Sequence, residues 1–265
     1  ITERLVGSEM CIRDSYSVAI ILKKTLQQLY TMRILVTGSE GFLGKVLCRQ
    51  LRSDSHEVIG YDIANGKDIL DNVQLREAMI DCDVCIHLAA IADLYIAEHQ
   101  PELARNLNIN ATKSLLEIAE QLEVRVLFAS TVCAYGNNGV VVCVEESPLA
   151  PTEVYAESKA EAERLFYDKL DKHAILRLAT FYGPNMRTSL ATSIFIEALK
   201  NDEQIHIHGT GLQTRCYTHV DDIASGIIAV MDSQQNGIYN ISSDEEMNVI
   251  DLIELISELM GKKAN

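Results

Sequence analysis

Tyr155 and Lys159 stand four positions apart in Pro151-Thr152-Glu153-Val154-Tyr155-Ala156-Glu157-Ser158-Lys159. That spacing puts both side chains on one face of a helix expected to continue through Tyr167. An ammonium beside a phenol favours the phenolate and lowers a pKa that is ordinarily about 10. A tyrosine held this way can act as a general acid and base near neutral pH. The same pattern also arises as an exposed tyrosine with a solvated lysine, so its weight rests on the rest of the chain. Upstream, the apolar run Val124 to Ala129 delivers Ser130 and Thr131 at its end.

Further upstream, Met32 to Gly44 reads MRILVTGSEGFLG, with glycines at 38, 41 and 44. Ile34 to Val36 is a short buried-strand signal, and a helix is expected from Lys45. Gly38 permits the tight turn, Gly41 lets a pyrophosphate approach the backbone, and Gly44 lets the helix pack close to the strand. The helix start then offers free N–H groups and a positive dipole end to phosphates. A second strand, His56 to Tyr61, ends at Asp62, 18 residues after Gly44. An acid there accepts hydrogen bonds from an adenosine ribose and repels a 2′-phosphate, which favours NAD over NADP. Asp68 and Ile69 follow in a loop suited to an adenine. A third strand, Val84 to Leu88, runs into Ala89 and Ala90, whose small side chains leave room for a cofactor.

Strand and helix signals keep alternating, which predicts an α/β fold with a doubly wound parallel sheet of the Rossmann type. A long helix is expected over 101–121, with Asn110 facing inward. A strand over 174–178 precedes a turn at Phe181-Tyr182-Gly183-Pro184, and a helix is expected over 188–200. Gln204 to Gly211 reads as a strand and turn in which His206 and His208 alternate. No carboxylate or cysteine is spaced to complete a metal site with them, so no metal is expected. Arg215 follows a Gly-Thr-Gly turn, where it could clamp a phosphate or pair with Asp221 or Asp222. A helix over 224–231, a strand over 237–241 and an amphipathic helix over 249–260 close the chain. The expected division is a non-native or disordered extension over 1–31 and an NAD-binding domain over 32–183, to which 214–241 returns. Residues 184–213 and 242–265 are left for a smaller, interleaved and incomplete substrate lobe.

The chain has 265 residues, 48% of them hydrophobic, and a formal charge of −15. The hydrophobic content is ample for a large core. The acidity makes nucleic acid and anionic membrane poor partners. Seven cysteines at irregular spacing suit a reduced, cytoplasmic setting better than a disulfide scaffold. Cys82 and Cys85 form a CxxC inside an apolar run, where buried thiols are expected rather than a metal or redox site. No run of 18 apolar residues suggests a membrane span. Met10 to Ser15 (MCIRDS) resembles the translation of a transposon-end sequencing adapter, so the native start is expected at Met32.

In this order and spacing, the motifs resemble the extended short-chain dehydrogenase/reductase family, and within it the NAD-dependent nucleotide-sugar epimerases and dehydratases. They are Thr37-Gly38-xx-Gly41-Phe42-Leu43-Gly44, Asp62, His87-Leu88-Ala89-Ala90, Ser130-Thr131 ahead of Tyr135-Gly136, and Tyr155-xxx-Lys159. Leu176-Arg177 ahead of Tyr182-Gly183-Pro184, and Arg215 ahead of His219-Val220-Asp221-Asp222, complete the set. The resemblance implies that Tyr155 is the base, that Lys159 supports it and bonds the nicotinamide ribose, and that Thr131 hydrogen-bonds the reacting sugar hydroxyl. Arg215 would bind the sugar nucleotide's diphosphate, with His206 to His208 beside its base. Thr180 stands where many relatives carry a substrate-contacting Asn, with Asn185 nearby. Phe42, Leu43, Leu88, Asn110 and Tyr182 are further implied cofactor contacts.

Dehydratases and decarboxylases of that family carry an acid just after the catalytic Thr, whereas Val132, Cys133 and Ala134 follow Thr131 here. This favours 4-epimerisation over dehydration. A sugar dehydrogenase, reductase or dehydratase of the same family and a non-catalytic dinucleotide-binding protein are the alternatives. A homodimer through 101–121 and 154–167 is implied by the resemblance.

Overall fold

The computed structural model describes residues 31–139, 141–207 and 209–263. The reading of 1–30 as a foreign extension therefore lies outside the described residues. In chain order the first half contains β1 (Arg33–Thr37), α1 (Phe42–Ser53), β2 (Glu57–Tyr61), α2 (Asn72–Met79) and β3 (Val84–His87). It continues with α3 (Leu94–His99), α4 (Pro101–Arg105), a π-helical segment (Asn106–Asn110), α5 (Ala111–Gln121) and β4 (Arg125–Thr131). The second half runs α6 (Val154–Glu163), β5 (Ala174–Leu178), β6 (Thr180–Tyr182), α7 (Ala191–Lys200), β7 (Thr214–His219) and α8 (Val220–Ser233). It closes with β8 (Gly237–Ile241), β9 (Glu246–Asn248) and α9 (Val249–Met260).

Six strands form one sheet in the order β2-β1-β3-β4-β5-β8, every neighbouring pair parallel. This is the doubly wound arrangement expected. The sheet is buried on both faces, which explains why its strands read as apolar runs rather than alternating ones. Successive side chains of β1 still divide between the two layers. Ile34 and Val36 pack with Leu47 and Leu51 of α1 and Ile223 and Ile227 of α8. Leu35 packs with Leu75 of α2, Leu115 of α5 and Phe166, which follows α6. The order reverses beside β1, so the carboxyl ends of β1 and β3 border the crevice where ligands enter such sheets.

A smaller sheet, β6-β7-β9, stands apart, with β6 parallel and β9 antiparallel to β7. Below it, α7 and α9 share an apolar cluster of Phe195, Leu199, Leu252, Ile253 and Ile256. Asn248 starts α9 by accepting the Asp251 N–H at 2.9 Å.

Several local expectations need correction. The helix over 101–121 is interrupted by the π turn at 106–110, and the helix of Tyr155 tightens to 3₁₀ from Arg164 to Lys169. Thr180 to Tyr182 is a strand that runs into the expected turn, held by pairing with β7, a partner far along the chain. The expected strand over 204–211 is absent among the described residues, where Gln204 to Ile207 takes no regular structure. Cys82 and Cys85 are buried as expected, and burial pushes both thiols up, Cys82 to about 11. No helix among the described residues is long and apolar enough to cross a membrane.

Candidate active site

The turn between β1 and α1 is built by its glycines. Gly38 has φ +72°, and a Cβ there would lie 2.8 Å from the Ala89 amide nitrogen. A Cβ on Gly44 would lie 2.1 Å from the Gly38 carbonyl oxygen, so α1 closes onto the turn only with hydrogen at that position. Gly41 caps α1, with no side chain on its first amides and no acid in its first turn. Ser39 is buried and its hydroxyl has no partner. A close backbone cradle, an unblocked helix start and an unsatisfied hydroxyl suit a pyrophosphate. Asp62 ends the turn's other wall: its carboxylate accepts the Glu40 N–H at 3.0 Å and the Ala64 N–H at 2.9 Å. These bonds fix it at the tip of β2, where a ribose hydroxyl would reach it. Phe42 stacks on Phe181 at 5.6 Å between centroids, and Leu43 is buried under the turn. Leu88, Ala89 and Ala90 are half-buried at the end of β3. The Asp68 carboxylate is taken by the Leu70 N–H, and Ile69 is half-buried beside it.

Thr131 closes β4. Its hydroxyl accepts the Cys133 N–H at 3.1 Å, and Thr131 favours the ionised form of the Tyr155 phenol. Tyr155 lies in the first turn of α6 with Lys159 one turn on, as the spacing requires. The expected electrostatics need correction, however. Burial and the Cys133 thiol push the phenol above its ordinary value, while Arg187 and Thr131 pull against them. Lys159 is 2% exposed, and its ammonium sits 4.0 Å from the Phe128 ring centroid. Burial lowers its pKa to about 7, with Glu163 opposing. Desolvation thus outweighs the charge effect read from the spacing, for both members of the pair.

Glu163, fully buried, accepts from Ser130 at 2.5 Å and pairs with Arg177 at 2.8 Å. Arg177 also donates to Tyr135 and to the Glu145 carbonyl, each at 2.8 Å. This network ties β4, α6 and β5 together beneath the site.

The expected substrate-side residues are more loosely placed. Thr180 is half-buried in β6, and Asn185 is exposed at φ +68°, a left-handed conformation asparagine tolerates. Tyr182, 39% exposed, meets His219 edge-on at 5.4 Å. Arg215 is exposed and donates to the Thr214 carbonyl, while Asp221 takes the guanidinium of Arg49 instead. His206 is exposed, and His208 lies outside the described residues.

Asn110 needs a correction too: it is exposed and donates to Asn106. The inward asparagine is Asn108, because the π turn advances the helix register past the expected face. Arg187, from the loop after β6, is a residue that sequence reasoning missed, and only its charge in so acidic a chain could have signalled it. It is tied to Asp93, 3.7 Å away, while Ser189 donates to the same carboxylate oxygen at 3.0 Å.

A family model described as the NAD dependent epimerase/dehydratase family matches residues 34–242. The chain belongs to that family. An uncharacterised UDP-glucose epimerase of Bacillus subtilis is 30% identical over 267 residues, covering 88% of this chain and 84% of that relative. A UDP-glucuronic acid decarboxylase of Xenopus tropicalis is 27% identical over 90% of this chain, which spans 62% of the relative's length. The solved structure of a Bacillus cereus UDP-glucuronic acid 4-epimerase, with UDP-glucuronic acid and NAD, is 29% identical. It covers 88% of this chain and 85% of its own, at a TM-score of 0.80. The epimerase/dehydratase family uses NAD, which the cradle, helix start and Asp62 of this chain are suited to hold.

Proposed function

We propose that this chain carries an NAD-dependent 4-epimerase for a nucleoside-diphosphate sugar. The observation that carries the reading is Thr131 at the end of β4 acting on the Tyr155 phenol, with Lys159 one turn along the same helix and only Val132, Cys133 and Ala134 after Thr131. An elimination or decarboxylation step is served by a carboxylate at that place, and none stands there. Bound in the cradle, NAD supplies a reversible hydride acceptor, so oxidation at C4 is followed by reduction without net redox change. Thr131 and Tyr155 engage the C4 hydroxyl, and Tyr155 takes its proton and later returns it. Its raised pKa suits the return step, because the protonated phenol dominates, while Arg187 and Thr131 favour the phenolate needed for removal. Lys159 holds the nicotinamide ribose. Thr180, Asn185, His206, His208 and Arg215 belong to the side that receives the sugar nucleotide, with Arg215 on its diphosphate.

Arg187 narrows the sugar. A cation whose charge reaches the phenol from the loop after β6 suits a hexuronic acid, whose carboxylate is borne next to the ring. UDP-glucuronic acid, bound by the Bacillus cereus relative, is of that class. A homodimer through α4, α5 and α6 accompanies the reading, and sedimentation velocity of the purified protein measures it.

The test is incubation with NAD and a panel of UDP-, GDP- and dTDP-sugars, products read by mass and NMR. A C4 epimer of unchanged mass is expected, with UDP-glucuronic acid turned over faster than UDP-glucose. A product 18 or 44 mass units lighter would mean dehydration or decarboxylation and would overturn the epimerase reading. In a parallel incubation supplied with NADH, its bulk oxidation would indicate a net reductase.

A further inference from the structure

Among the described residues, five polar side chains besides Glu163 lie fully buried outside the reacting trio: Thr37, His87, Asn108, Thr112 and Ser158. They link into one chain, which passes through the Asn108 backbone carbonyl before continuing from its side chain. The Ala89 N–H donates to the Thr37 hydroxyl at 3.2 Å, and that hydroxyl lies 2.7 Å from His87 Nδ1. His87 Nε2 lies 2.9 Å from the Thr112 hydroxyl, which donates to the Asn108 carbonyl at 2.8 Å. The Asn108 amide donates to the Ser158 hydroxyl at 2.8 Å and to the Ile91 carbonyl at 3.1 Å, and its oxygen accepts the Ile91 N–H at 2.8 Å. Ser158 donates to the Tyr155 carbonyl at 2.7 Å.

The proton positions follow from these partners. A hydroxyl has one hydrogen, and Thr112 spends it on the Asn108 carbonyl. His87 must therefore donate from Nε2, which leaves Nδ1 to accept from Thr37. Burial and the neighbouring Lys159 ammonium hold the imidazole uncharged, with a pKa down to about 3. Each donor meets one acceptor, so the arrangement has one orientation, and reversing any link leaves a buried group unpaired. The chain begins next to Gly38, in the residue that ends β1. It grips the backbone just past Ala89-Ala90 and finishes on the backbone of the catalytic tyrosine. Its middle is the π turn, a helix defect that commonly marks a functional site.

We propose that His87, with Thr112, Asn108 and Ser158, is a positioning unit that sets the backbone of Tyr155 relative to the nucleotide turn. The inference rests on the epimerase reading for its catalytic readout but not for its binding readout. It acts on geometry alone: none of the four side chains touches the sugar or transfers a proton to it. Because the unit is a single chain, cutting it at either of two places has the same consequence as cutting it at both.

The experiment uses Thr112→Val and Ser158→Ala, which remove a hydroxyl with little change of volume, and the double variant. In the full chain, kcat and KM are measured on whichever sugar nucleotide the unaltered protein converts, together with the rise in melting temperature on adding NAD. Each single variant is expected to lose kcat by about tenfold or more with KM within about twofold. The double variant is expected to lose no more than the worse single. All three are expected to gain less melting temperature from NAD than the unaltered protein. Folded variants with unchanged kcat, or single losses that multiply in the double, overturn the proposal. If no sugar nucleotide is converted by the unaltered protein, the epimerase reading fails. The NAD-induced shift then decides the inference alone, and an equal shift in all four proteins overturns it.

Discussion

The two sheets bound the site in opposite ways. On the six-stranded side, the cofactor crevice is bounded by backbone amides, by glycines that let the backbone close in, and by the Asp62 carboxylate fixed by two backbone N–H groups. On the three-stranded side, Arg215, His206 and Asn185 are exposed, and Arg187 is tethered to Asp93 across 3.7 Å. A site formed from backbone is held before any ligand arrives and tolerates one ligand shape. A site formed from long exposed side chains on loops adapts and diverges readily. On the function proposed above, the cofactor would be set by the first sheet and the choice of sugar by the second.

Changes on the two sides should separate in kind as well as size. Tyr155→Phe, at their junction, should cut turnover about a thousandfold while NAD stays bound. Isothermal titration with NAD alongside the assay separates those effects, and lost NAD binding would place the tyrosine on the cofactor side instead. Gly44→Ala should lower NAD affinity about a hundredfold, since its Cβ would meet the Gly38 carbonyl. A near-normal dissociation constant would show that the cradle is less rigid than the contrast requires. Arg215→Ala should raise KM for the sugar nucleotide about tenfold with kcat and NAD affinity unchanged.

The smallest effect concerns Lys159. Its folded pKa of about 7 lies below the value in an unfolded chain. Between about pH 7 and 10 the unfolded chain holds a proton that the folded chain has released, so stability rises with pH through that window. Urea midpoints of the unaltered protein and Lys159→Met, compared at pH 7 and 9, should diverge in favour of the former as pH rises. Parallel midpoints would mean that the buried amine is not titrating there.

The cofactor side was legible because its signals are local. A glycine that must approach backbone, a strand ending in an acid, and apolar runs between helices are each written in a few adjacent residues. The placement of Tyr155 and Lys159 one turn apart on a helix was legible for the same reason, although their protonation was misjudged, since burial is set by Phe128 and other distant parts of the chain. Asn110 was misplaced because a π turn shifts helix register, and periodicity assumes none. The strand at Thr180 to Tyr182 depends on pairing with Tyr217 to His219, a contact no local pattern reports. His87 was seen as part of a motif, but its role requires Thr112, a partner 25 residues away.

The position of β8 has a consequence for synthesis. It pairs with β5, yet β6, α7, β7 and α8 are all made between them. Until residue 241 leaves the ribosome, β5 is an open edge, its unpaired amides flanked by apolar side chains. Nascent chains stalled inside that interval should be the ones that engage chaperones, and release of Gly237 to Ile241 should end the exposure. The late strand thus sets when the cofactor half becomes a finished body, long after its nucleotide turn has been translated.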